Sequence, residues 1–225
     1  MNRRQQRKQR RRVNLMDNHF STIDPHARRH LSRRDPILRE VIRLVGPCTL
    51  QHNPDGFAVL VHSVISQQIS TKAAAAIRIR LGSLLGPKGI TLAGIRKASD
   101  DKLRAAGLSI NKIRCFRDLA DKVYRGELPL DNLDQLTDEE IINCLLPVCG
   151  IGPWTAQMFL IFSLGRPDVL PVADFGLRVG VQRQYKLRKL PDKNRLMKLA
   201  EPWRPYRSIA TWYFWRSLGA VPQSG

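Results

Sequence analysis

Residues 145–156 read LLPVCGIGPWTA, and the fold of the chain turns on them. An apolar run reaches Pro147, where the helix that begins at Thr137 is expected to end. Gly150 and Gly152 then permit a tight turn whose backbone can lie close to another molecule. Pro153 suits the first position of a second helix, predicted to run to Leu164 with Gly165 as its stop. The first N–H groups of that helix have no partner within it and sit at the positive end of its dipole. The turn therefore offers a phosphate-sized anion site built from backbone alone. An ordinary αα-hairpin with glycine in its turn carries the same local signature, so the rest of the chain has to decide.

Outward from the turn, the pattern is helical almost throughout. Ile37, Leu38, Val41, Ile42 and Val45 form one stripe that Gly46 and Pro47 end. Phe57, Leu60, Val61, Val64, Ile65 and Ile69 follow at spacings of three and four. Ser109 can cap a helix whose apolar positions are Ile113, Phe116, Ala120 and Val123, with Gly126 beyond its end. Thr137 and Glu140 form a capping box, with Leu136 placed to staple onto Ile141. Period-two alternation is nearly missing, so the expected class is all-α.

The chain is 225 residues long and 43% hydrophobic, enough for a real core. Lys and Arg number 38 against 19 Asp and Glu, a net charge of +19, which points to a polyanionic partner. The opening MNRRQQRKQRRR carries seven cations and almost nothing apolar. It reads as a disordered basic arm over residues 1–30 that adds phosphate contacts, ahead of a domain at 31–218 and a tail at 219–225. The apolar stretches fall far short of the ~18 residues a membrane span needs, so no membrane association is expected. Cys48, Cys115, Cys144 and Cys149 are too scattered for a disulfide framework or a thiolate cluster, which fits a reducing compartment. His26 and His30 share a helical face but lack further ligands in sequence, so no metal site is expected.

After the second helix comes a loop, GRPDVLPV at residues 165–172, and then Ala173, Asp174, Phe175, Gly176, Leu177 and Arg178. By itself Asp174 reads as a cap for a helix that starts at Phe175. The hairpin, the Gly/Pro-rich loop and an aspartate in this order resemble the helix-hairpin-helix DNA glycosylase superfamily. Further matches resemble its 3-methyladenine glycosylase II branch: SQQISTKA at residues 66–73, GIGPWTA at 150–156 and WRPYRS at 203–208. The resemblance runs in register from about residue 35 to 218. One departure is Ala173, where members often carry a second acidic residue.

The resemblance implies an all-α helix-hairpin-helix fold, with two helical subdomains flanking a DNA-binding cleft. It implies a base-excision enzyme that flips alkylated purines, of the 3-methyladenine and 7-methylguanine type, out of double-stranded DNA and hydrolyses the N-glycosidic bond. Asp174 falls at the catalytic aspartate, where an anion can stabilise the positive charge that develops on the deoxyribose. Trp154 and Trp215 match the base pocket, whose π-faces attract a cationic base, and Phe175, nearby in sequence, is expected to join them. Gln67, Gln68, Ser70, Lys72, Gly150, Ile151, Gly152 and Thr155 are the expected DNA-binding residues, with Gln68 at the tip that fills the vacated stack. Trp203, Trp212 and Tyr206 are expected to pack in the core.

A hairpin lysine would make a lyase, and its place is held by Trp154, so the implied enzyme is monofunctional. No cofactor is expected, although the resemblance permits a monovalent cation at the hairpin carbonyls. The implied protein is a monomer located with the DNA, in the cytoplasm and nucleoid or in a nucleus. Two alternatives stay open: a glycosylase for other damaged or deaminated bases, and a non-catalytic DNA-binding protein that uses the hairpin as a scaffold.

Overall fold

The computed structural model describes residues 19–87 and 89–219, and these contain helices and no strand. In chain order the α-helices are α1 (His19–Arg34), α2 (Pro36–Val45), α3 (Gly56–Ser66), α4 (Thr71–Leu85), α5 (Leu92–Lys97), α6 (Asp100–Ala105) and α7 (Ile110–Tyr124). After a 3-10 turn at Leu130–Gln135 come α8 (Asp138–Leu145), α9 (Pro153–Phe162), α10 (Phe175–Gln184) and α11 (Lys193–Ala200). A second 3-10 turn, Glu201–Trp203, leads to α12 (Arg207–Ser217).

Polar side chains set many of the starts. Ser109 accepts from the Lys112 N–H at the head of α7, and Thr137 and Glu140 bond reciprocally at the head of α8. Helix α3 is buried along nearly its whole length and packs on α9, α4 and α7. The chain's beginning and end meet elsewhere: α1 packs on α2, α2 on α12, and α12 on α10. Two helical groups result, 56–162 on one side and α1, α2 and α10–α12 on the other, sharing one continuous apolar core. The expected all-α, two-subdomain architecture is present.

Three boundaries differ from expectation. Residues 19–30 are no disordered arm but most of α1, whose Phe20, Ala27 and Leu31 are buried. Buried Asp24 on the same helix accepts from Arg28 and from the Cys48 N–H, which ties α1 to the loop after α2. Residues 1–18 and 220–225 lie outside the described residues. Helix α3 stops at Ser66 rather than continuing to Ile69, because Gln68 takes a left-handed φ of 57°. Helix α9 ends at Phe162, with a looser turn carrying the chain to Gly165 at φ 65°.

Candidate active site

A cleft of about 1000 Å³ opens between the two helical groups. One wall comes from α3, the turn after it and the start of α4, and the hairpin and α9 supply the floor. The head of α10 and Trp215 of α12 close the far side.

Asp174 sits on that far side. Only 8% exposed, it caps α10 with Oδ1, which accepts from the Leu177 N–H at 2.6 Å. The same oxygen accepts the Trp215 indole N–H at 2.8 Å, and Oδ2 accepts the Trp154 indole N–H at 2.8 Å. Three donors from three elements thus fix one carboxylate at the cleft surface. One side chain thus caps a helix and borders the cleft.

The three expected pocket aromatics play different parts. Trp215 is 2% exposed and stacks on Phe162, with ring centroids 5.9 Å apart, so its main contact with the site is the indole N–H. Trp154 is half-buried and bridges hairpin to carboxylate. Phe175 is 69% exposed at the rim, the one of the three with a free face. Trp203 and Trp212 are buried as expected, and Tyr206 packs edge-on against His30.

The expected DNA-binding residues do not all present side chains. Ile151 and Thr155 are buried, and of the two Thr155 borders the cleft. Isoleucine follows its hydrophobicity inward, and the Thr155 hydroxyl accepts from Gln67 at 2.9 Å. Gln67 also donates to the Gly150 carbonyl at 2.9 Å and so ties the turn after α3 to the hairpin. Ser70 is exposed and caps α4 through the Ala73 N–H. Lys72 is exposed in the first turn of α4. Gln68 and Ile69 stand exposed at the tip of the turn. The head of α9 has no side-chain cap, the condition under which a helix start can take an anion.

Sequence reading missed the residues that brace these loops. Lys112 of α7 donates to the Ile65 carbonyl at 2.6 Å and the Gln67 carbonyl at 3.2 Å, closing the end of α3. Burial lowers its pKa. Asp118, further along the same helix, accepts the Cys149 N–H at 2.7 Å and holds the hairpin from below. Burial pushes the Asp118 carboxyl up, but the bonds from Lys122 and Cys149 outweigh it and leave the pKa lowered. Neither residue carries a sequence signal, since each acts across the fold. Lys112→Met is expected to leave two carbonyls unpaired at a cost of about 1–3 kcal/mol, read as a lower melting temperature, and to loosen the Gln67–Gln68 turn.

The two hairpin glycines also separate. Gly150 has φ 73°, and a Cβ there would lie 3.3 Å from Cys115 Cβ and Sγ, inside the protein. At Gly152, φ is −106° and a Cβ would meet nothing within 4 Å. A methyl group at Gly150 would thus press into the protein, and one at Gly152 would stand in open space. Gly150→Ala is expected to lower stability by about 1 kcal/mol or more. Gly152→Ala should melt like the native protein and bind duplexes of every sequence more weakly. Thermal melts and duplex titrations of the two variants check this.

Among the described residues no group of three or more His, Cys, Asp or Glu is placed to hold a metal ion, and no helix is long and apolar enough to cross a membrane. Residues 61–205 match the family described as HhH-GPD superfamily base excision DNA repair protein. The chain is 35% identical over 193 residues to DNA-3-methyladenine glycosylase 1 of Schizosaccharomyces pombe, an alignment covering 84% of this chain and 85% of that one. Among solved structures it is similar to the Schizosaccharomyces pombe 3-methyladenine DNA glycosylase in complex with abasic DNA. The TM-score is 0.79 at 34% identity, over 87% of this chain and 98% of that one. A DNA-3-methyladenine glycosidase from Bacillus halodurans superposes with a TM-score of 0.71 at 36% identity, over 89% and 92%. With hairpin, loop and aspartate assembled around one cleft and the match spanning most of its length, this chain belongs to the HhH-GPD superfamily of base excision DNA repair proteins.

Proposed function

We propose that the protein is a monofunctional DNA glycosylase that excises alkylated purines from double-stranded DNA. The observation that carries the reading is Asp174, a carboxylate held by three N–H donors at the surface of a cleft large enough for a flipped base. Cleaving the glycosidic bond builds positive charge on the sugar, and a fixed anion beside it stabilises that charge without reorganising. An N-alkylated purine is already cationic and leaves readily, so a strong general acid is not required. The similar glycosylases of yeast and Bacillus support the same substrate class.

The backbone N–H groups at the head of α9 take a phosphate, the exposed Gln68–Ile69 tip enters the stack, and Phe175 offers its face to the base. No lysine is among the described residues that line the cleft, and Lys112 is spent on two carbonyls. The product is therefore an intact abasic site. A monovalent cation at the hairpin belongs to the same proposal, as the Val148 and Gly150 carbonyls each accept one internal N–H and keep a second lone pair. The protein acts as a monomer, wherever the cell keeps its DNA.

The test is incubation with methylated duplex DNA, scoring released bases and trapping with borohydride. Release of 3-methyladenine without a covalent adduct is the expected result. A protein that binds DNA and releases no base is a scaffold, and a trapped adduct marks a lyase. Comparing duplex affinity in potassium and in a bulky organic cation at equal ionic strength checks the hairpin site.

A further inference from the structure

The stretch from Arg178 to Lys198 carries eight Lys and Arg against a single acidic residue, Asp192, whose side chain caps α11. The fold sorts this stretch into anchors and cations. Leu187 packs on the core, and its N–H reaches the Gln182 carbonyl at 2.9 Å. Pro191 is buried, and Leu196 and Ala200 face α11 inward. Lys186, Arg188, Lys189, Lys193, Arg195 and Lys198 are all exposed. Among the described residues none of the six shares an ion pair. Like charges gathered this densely repel one another, and a partner of opposite sign relieves that repulsion.

The loop after α10 is tied back toward the cleft. Arg178 Nε donates to the Pro191 carbonyl at 2.9 Å, so the loop runs back along α10 instead of trailing from its far end. Phe175, on the cleft rim, and Arg178 share the first turn of α10. The loop and the start of α11 therefore lie on the order of 10–20 Å from the rim. Along a duplex that rises about 3.4 Å per base pair, this is about three to six pairs from a nucleotide held in the cleft. Other polyanions would match the charge, but the neighbouring cleft brings duplex DNA to this place.

We propose that the basic surface from Lys186 to Lys198 is a second DNA grip, which holds the phosphates of the duplex flanking the lesion. Its contacts are to the backbone, so they add affinity and orient the duplex without reading bases. The hairpin holds the strand near the flipped nucleotide, and this surface holds the helix further out. The proposal rests on the glycosylase reading above.

The experiment compares the native protein with a triple variant, Arg188→Gln, Lys189→Gln and Lys193→Gln. A charge-matched control carries Lys97→Gln, Lys102→Gln and Arg104→Gln, at exposed positions on α5 and α6. Each protein is titrated over a salt series with a duplex that holds a stable abasic site at its centre. Two further duplexes are cut to about two base pairs on one side or the other, too short to reach the patch. The triple variant should melt like the native protein and bind the full duplex about ten-fold more weakly, with a log–log salt slope flatter by about two to three units. The control should stay close to native. Cutting one of the two flanks should weaken native binding by a similar factor and change the variant little. Equal slopes for native and variant, an equal loss in the control, or an undiminished flank dependence in the variant overturns the proposal. Should the triple variant fail to fold, acylation of lysines in the native protein decides: the full duplex must shield Lys189 and Lys193 more than the cut duplexes do, and equal labelling overturns it. Release of 3-methyladenine from methylated duplex is scored in parallel. Native protein that binds the duplex and releases no base refutes the glycosylase reading, while the titrations still decide the patch.

Discussion

Asp174→Asn should fold, bind abasic DNA nearly as well as the native protein, and excise bases at least about 10²–10³ times more slowly in single turnover. The local bonding sharpens what the substitution does. Oδ1 takes two donors, from Leu177 and Trp215, and Oδ2 takes one from Trp154. An asparagine has only one oxygen, and it best serves the two-donor side, which keeps the cap of α10. Its NH2 group then faces the Trp154 indole N–H, donor against donor, at a cost of about 1–3 kcal/mol. The melting temperature therefore falls by several degrees while the cap survives. If Asp174 were only a cap, stability would fall and excision would not. Melting curves alongside base release separate the two.

Gly180→Ala should cost stability and activity together. Gly180 lies inside α10, where alanine gains up to about 1 kcal/mol of helix propensity. Its Cβ, however, would fall 2.8 Å from the Phe214 carbonyl oxygen and 2.9 Å from Phe214 Cβ, both too close to stand. Backbone cannot step aside as a flexible side chain can, so α12 must move away from α10, an overpacking strain of about 1–3 kcal/mol. Trp215 is the next residue along α12, and the displacement acts directly on its bond to Asp174. A lower melting temperature with slower excision is the expected pair. Gly82→Ala is the matched control: it lies inside α4 and its Cβ would meet nothing within 4 Å, so the melting temperature should rise by about 2–4 °C.

What sequence could and could not disclose follows from the range of the forces involved. Capping is local, so Ser109, Thr137 with Glu140, Pro153 and Asp174 announced their helices correctly. The helix at residues 19–34 was hidden by its own composition. Phe20, Ile23, Ala27 and Leu31 keep a three-and-four spacing, but Pro25 and a series of arginines and histidines interrupt them, and only packing explains the order. At the site, motif resemblance located the loops and the carboxylate. It said nothing of Lys112 or Asp118, or of the inward turn of Ile151 and Thr155, because those depend on residues brought close by the tertiary fold.

Asp35 offers an instructive parallel. It too is a buried cap, accepting from the Ile37 and Leu38 N–H groups, the Trp203 indole and the Tyr185 hydroxyl. The same chemistry that fixes Asp174 here ties the head of α2 to the end of α10 and to the 3-10 turn before α12. What sets Asp174 apart from Asp35 is the open volume beside its carboxylate.

The Gln67 amide, with one hydrogen on the hairpin carbonyl and the other on Thr155, has a mechanical consequence. On the function proposed above, the tip that enters the stack and the hairpin that holds the backbone are fastened to each other, so the protein cannot inspect a duplex by relaxing one of them. Whatever bending is needed for the tip to enter must come from the DNA. Along a sound helix that compliance is low and the protein slips past. At a weakened stack it is high, and the protein stops. On this view the search is a stiffness measurement, made by a rigid instrument before any base is read.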